Sequence, residues 1–169
     1  METKACCFIG HRKIEEDEEL IKKLYETIEK LIVEEKVETF LFGSKSQFNH
    51  LCYKIVSKFK ERYPVIRRVY VRAVYYDISE DYEKFLLKNY EETYYPKKAA
   101  NAGRAVYVER NYEMIDKSDF CIIYYKEDYS LPLKKRWKGS PLTYQPKSGT
   151  RVAYEYAKRK KKAIINVID

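Results

Sequence analysis

Apolar residues follow two spacings along this chain, and the two alternate from end to end. Residues 5–9, Ala-Cys-Cys-Phe-Ile, form a continuous apolar run stopped by Gly10, which is how a strand buried on both faces reads. The acidic stretch Glu15 to Glu19 follows, and Leu20, Leu24, Ile28, Leu31 and Ile32 then keep helical spacing. Acids belong at the positive end of a helix, so the stretch marks its start. Thr39 to Phe42 reads as a second strand stopped by Gly43, and Phe48, Leu51, Cys52, Ile55 and Phe59 as a helix ending before Pro64. Ile66 to Val74, rich in β-branched residues and tyrosine, predicts a third strand. A helix over 79–90 and a break at Tyr94-Tyr95-Pro96 come next. Ala105, Val108, Tyr112 and Ile115 space a further helix, and Phe120 to Tyr125 a fourth strand. Ser148 opens a last helix to about Lys160, and Ala163 to Val167 reads as the closing strand.

Strand alternating with helix predicts a Rossmann-like three-layer α/β domain, with a mainly parallel sheet of about five strands. No internal repeat or linker interrupts it, so residues 1–169 read as one domain. Residues 126–147 hold three of the five prolines, the only tryptophan and the cluster Lys134-Lys135-Arg136. They read as a long loop, and long loops in compact domains are often lids or binding elements.

No apolar run approaches the roughly 20 residues a membrane span needs, and the N-terminus has no cleavable-signal pattern. The expectation is a cytoplasmic protein with no membrane partner. Cys6, Cys7, Cys52 and Cys121 form no CxxC pair and lie in apolar patterns, so they read as small buried thiols. His11 and His50 are not spaced to complete a zinc site with them. Neither a metal nor a cofactor is expected. Lys and Arg exceed Asp and Glu by 34 to 26, a net charge of +8, which favours an anionic partner without choosing between a nucleotide and a nucleic acid.

Open parallel sheets bind ligands beyond the carboxyl ends of their strands. Gly10-His11-Arg12 stands after the first strand, where glycine permits a tight turn and arginine offers a planar fork for phosphate. Gly43-Ser44-Lys45-Ser46 follows the second strand and leads into a helix, a combination suited to anions. Ser148-Gly149-Thr150 repeats the device after the long loop. His11 follows a strand end, where an acid or base would stand, but nothing in the sequence supplies an orienting partner. Tyr75 and Tyr76, after the third strand, would stack on a base. Arg110 lies away from Val108, Tyr112 and Ile115 on its helix, so spacing alone predicts a solvent-exposed side chain.

The chain resembles the SLOG superfamily, which holds the lonely-guy phosphoribohydrolases, the DNA-processing protein A fold and many bacterial and phage proteins. Its opening Cys-Cys-Phe-Ile-Gly-His-Arg strand and turn is similar to that of a small stand-alone bacterial family, and this likeness covers nearly the whole chain. The likeness to the lonely-guy enzymes is local. Glu109 to Asp119 is similar to their helix Glu-Arg-Lys-x-x-Met-x-x-x-Ser-Asp, whose arginine is catalytic. Ser148-Gly149-Thr150 is similar to the Gly-Thr of their phosphate-binding Pro-Gly-Gly-x-Gly-Thr-x-x-Glu motif. The resemblance implies roles for Arg110 and Thr150 that spacing does not show.

Two departures separate the chain from those enzymes. Their catalytic glutamate falls here on Ala153, and Lys147 and Ser148 replace the Gly-Gly pair. Glu155, the nearest acid, lies about 200° further round the helix. The expectation is therefore binding of a nucleotide or nucleotide-derived ligand, ADP-ribose-like or a nucleoside phosphate, for sensing or sequestration. The alternative is a phosphoribohydrolase cleaving an N-glycosidic bond of nucleoside 5′-monophosphates, with Arg110 and Glu155 as catalytic residues. Nucleic-acid binding is a third reading. Relatives of this fold commonly pair, which makes a homodimer the default assembly.

Overall fold

The computed structural model describes residues 3–74, 77–129 and 131–169. Strand β1 (Lys4–Gly10) leads into helix α1 (Glu18–Val33), β2 (Val37–Phe42) into α2 (Gln47–Arg62), and β3 (Arg67–Val71) into α3 (Glu80–Asn89). Strand β4 (Glu92–Tyr94) and two short 3₁₀ turns then reach α4 (Val106–Asp116) and β5 (Phe120–Tyr124). A two-stranded ribbon, β6 (Lys134–Lys135) and β7 (Thr143–Tyr144), precedes α5 (Gly149–Arg159) and β8 (Ala163–Asn166). The main sheet is six-stranded in the order β4-β3-β2-β1-β5-β8, and each neighbouring pair is parallel.

Period-two alternation in the buried strands builds the two sides of the core. Cys6 and Phe8 of β1 pack with Leu24, Ile28, Phe48 and Ile55 of α1 and α2. Cys7 and Ile9 pack with Met114, Ile115, Ala153 and Ala157 of α4 and α5. The sheet is thus covered on both faces, as a Rossmann-like three-layer fold requires. All four cysteines are free and buried, and Cys7 Sγ lies 3.6 Å from Cys121 Sγ across the β1–β5 pair. No helix among the described residues is long and apolar enough to cross a membrane.

Side chains start the helices where the hydroxyl and acid signals stood. Asp17 accepts the Leu20 N–H at 2.8 Å, Ser46 the Asn49 N–H at 3.1 Å, and Ser148 the Arg151 N–H at 3.0 Å, each satisfying an orphan donor of a first turn.

One strand is added to those the pattern showed, and two expectations are corrected. The sheet gains a sixth strand, because Glu92–Tyr94, three residues too short to show a period, pairs with Val69–Val71. A forked ion pair fastens this edge: Arg68 Nε and Nη2 donate to the two Glu91 oxygens at 3.1 and 2.9 Å. The third strand ends at Val71 rather than Val74. Arg72 N–H still donates to Tyr94 O at 2.9 Å, and there the partner strand stops. The 126–147 loop contains the β6–β7 ribbon, whose exposed two-residue strands are too short to carry a hydrophobic alternation.

Candidate functional site

Strand order reverses beside β1. The chain builds outward through β2, β3 and β4, then returns to lay β5 against the other edge of β1. A crevice opens at such a switch point, and here a cleft of about 990 Å³ occupies it. The ten residues picked out above as ligand contacts, Gly10, His11 and Arg12, Gly43, Ser44 and Lys45, Arg110, and Ser148, Gly149 and Thr150, all line this cleft. Tyr75 and Tyr76 lie outside the described residues. A second hollow, between α1 and α2, pairs its own charges, with Arg62 Nη1 3.7 Å from Glu29 Oε1.

Close packing, rather than a left-handed backbone, explains the two strand-end glycines. A Cβ on Gly10 would stand 2.4 Å from the Phe48 ring, and one on Gly43 would stand 2.5 Å from Met114 Sδ and 2.9 Å from Arg110 Cδ. Gly10 thus lets α2 close on β1, and Gly43 lets Arg110 cross β2. The loop after β1 is pinned to α2: Gln47 N–H donates to Arg12 O at 2.9 Å, and Ile14 N–H to Gln47 Oε1 at 3.1 Å. The Arg12 side chain remains exposed.

His11 gains in the fold the partner that the sequence did not reveal. Its Nε2 accepts the Lys126 N–H at 3.1 Å, which places the neutral ring's proton on Nδ1. The ring stacks on Tyr129 at 3.9 Å between centroids, and the Tyr124 and Tyr125 rings lie 6.1 Å away. Burial, and behind it the Lys126 ammonium, push its pKa down to about 4. At neutral pH His11 is an uncharged clasp between β1 and the segment after β5.

Asn49 is a residue that the sequence reading missed. It accepts the Gly43 N–H at 3.3 Å and donates to Phe8 O at 3.2 Å, tying the ends of β1 and β2 together beneath the cleft. A signal was present: a polar amide between Phe48 and Leu51 on an otherwise apolar helix face.

Arg110 departs furthest from its expectation. It is buried, 7% exposed, and with Met114 and Ile115 it forms the inner face of α4. Nη1 donates to Gly43 O, Nε and Nη2 reach Asn111 Oδ1 at 3.3 and 3.2 Å, and the guanidinium lies over the Tyr107 ring at 5.4 Å. Burial pushes its pKa down, partly opposed by the Tyr70 and Tyr107 hydroxyls. No carboxylate among the described residues pairs with it.

At the start of α5 the Ser148 side chain satisfies Arg151, while no described group accepts the N–H of Gly149 or Thr150. Thr150 is buried and faces the cleft. Ala153, where the resembling enzymes carry glutamate, is buried in the core beneath α5. Glu155 is not among the cleft residues. Its carboxylate accepts from Lys147 Nζ at 3.0 Å and Arg151 Nε at 3.1 Å, contacts that hold its pKa below the usual range.

The lining as a whole is cationic. Arg12, Lys45, Arg72 and Arg110 belong to it, and among the described residues no Asp or Glu does. Tyr70, Tyr82, Tyr107 and Tyr129 add aromatic surface. Such a lining can hold an anion and stack a flat ring, but its described residues bring no carboxyl for proton transfer.

Fold and cleft together define a class, a Rossmann-like α/β domain with a cationic, tyrosine-rimmed crevice at its switch point. Scanned against protein-family models the chain matches none, and a search of curated proteins finds no match.

Proposed function

We propose that this chain binds a nucleotide or nucleotide-derived anion and senses or sequesters it. The observation carrying the proposal is Arg110, a buried guanidinium that, among the described residues, has no carboxylate partner and lines a cleft without an acid. Isolating a charge from water costs several kcal/mol, and methionine or leucine would fill the same space without that cost. A bound phosphate supplies the missing counter-charge through the bidentate contacts that arginine favours. The free amides of Gly149 and Thr150 and the Lys45 ammonium add donors around it. Tyr70, Tyr82 and Tyr107 offer faces for a base, the task first considered for Tyr75 and Tyr76.

Membership of the SLOG superfamily is part of the same proposal. The Arg110 helix and the Ser148–Thr150 helix start, which carry the resemblance, line one cleft. Binding is favoured over N-glycosidic hydrolysis because that chemistry needs a carboxyl near the ribose. Ala153 offers none, and Glu155 is engaged elsewhere.

A thermal-shift panel of nucleotides tests this. A ligand at about 100 times its Kd adds about 2.7 kcal/mol, hence about 5–10 °C for a chain of this size. The ligand should be recovered intact, and Arg110→Ala should remove the shift. If no nucleotide stabilises the protein, binding is refuted; release of free base would establish the hydrolase instead.

A further inference from the structure

Nucleotide sites commonly combine phosphate-binding cations with a carboxylate that helps hold magnesium or accepts from the ribose hydroxyls. This cleft has the first half alone. Arg12, Lys45 and Arg110 line it with no acidic partner among the described residues, and Arg72 adds a fourth cationic side chain. No cluster of three metal-ligating side chains stands among the described residues.

The cations also come from three different segments of the chain. Arg12 follows β1, Lys45 follows β2 at the head of α2, and Arg110 reaches across from α4 to Gly43. A single phosphate carries at most about two negative charges, fewer than the three positive charges of Arg12, Lys45 and Arg110. A chain of phosphates carries the matching charge. Magnesium would seek the same phosphate oxygens while adding two positive charges to a lining whose described residues include no acid to receive it.

We infer that the ligand is a nucleoside polyphosphate bound without a divalent cation. Arg12, Lys45 and Arg110 take the phosphate oxygens that a metal would otherwise cover, so magnesium competes with the protein. The inference rests on the nucleotide-binding proposal and narrows it, setting ATP-like compounds above ADP-ribose and nucleoside monophosphates.

The test is titration calorimetry of the full chain with AMP, ADP-ribose, ADP, ATP and inorganic tripolyphosphate, first in EDTA and then in excess magnesium. Each phosphate added from AMP to ATP should tighten binding about tenfold, the worth of one charge-assisted hydrogen bond at a partly exposed site. Excess magnesium should weaken ATP about tenfold, the loss of one such bond, and leave AMP unchanged. Arg12→Ala and Lys45→Ala, both at exposed positions, should weaken ATP more than AMP and flatten the series.

AMP or ADP-ribose binding as tightly as ATP would overturn the polyphosphate inference and leave nucleotide binding standing. Tighter ATP binding with magnesium would overturn the metal-free state. Tripolyphosphate matching ATP would remove the nucleoside from the inference. Failure of every compound to bind would overturn this inference and the proposed function together.

Discussion

Acid should loosen this protein through His11. The ring is 3% exposed, accepts the Lys126 N–H and stacks on Tyr129. Protonation removes the acceptor and sets a cation beside the Lys126 ammonium. The folded pKa is depressed to about 4 from its ordinary 6.5, so the unfolded chain takes up the proton first as pH falls. The His11 contribution is therefore complete above about pH 6.5 and is lost between there and about pH 4. A gap of about 2.5 units corresponds to about 3 kcal/mol in total, of which about 2 kcal/mol is gone by pH 5. With a urea slope of about 2 kcal/mol per molar, that is about 1 M in midpoint.

Urea unfolding of wild type and His11→Phe at pH 7, 6 and 5 isolates the effect. Phenylalanine keeps an aromatic ring against Tyr129 but has no proton to gain, and carboxylate titrations common to both proteins cancel in the difference. Wild type should lose about 2 kcal/mol more than the variant between pH 7 and pH 5. Parallel curves would refute the reasoning, because they would mean that the ring titrates equally well folded and unfolded.

Three other perturbations separate the roles assigned to individual residues. Arg110→Met should raise the melting temperature of the ligand-free protein by about 2–4 °C, worth about 1 kcal/mol of relieved burial net of the lost Gly43 and Asn111 contacts, while abolishing nucleotide-induced stabilisation. A lower melting temperature would show that the guanidinium is needed structurally. Gly10→Ala should cost about 2 kcal/mol by driving a methyl into Phe48, and adding Phe48→Leu should recover part of that loss; strictly additive costs in a double-mutant cycle would deny the contact. Glu155→Gln should leave nucleotide affinity unchanged within error by calorimetry, and a marked loss would bring that carboxylate into the site.

Much of the fold was legible because its causes are local. Apolar runs closed by Gly10 and Gly43 gave β1 and β2, acids and hydroxyls marked the helix starts, and strand-helix alternation implied the covered parallel sheet. The elements that escaped had no local cause. Glu92–Tyr94 is a strand because β3 offers it an edge, and the β6–β7 ribbon is too short to show a pattern. The cleft residues were legible as chemistry: glycine, hydroxyl and cation at the ends of strands or the starts of helices. Asn49 showed only as an oddity on an apolar helix face.

By itself the sequence determined the elements, their order and the composition of each corner, since propensity, capping and hydrophobic period act over a few residues. Tertiary structure alone decided where the charges stand. Arg110 reads as solvent-facing from the spacing of its helix, yet α4 packs with that side inward, across Gly43. Glu155 reads as the nearest acid along the chain, yet α5 turns it outward to Lys147 and Arg151. Separations of 67 residues between Arg110 and Gly43 and 115 between His11 and Lys126 are closed by the packing of the sheet. Which groups share a solvent-poor space, and so which charges lack a partner, depends on that packing.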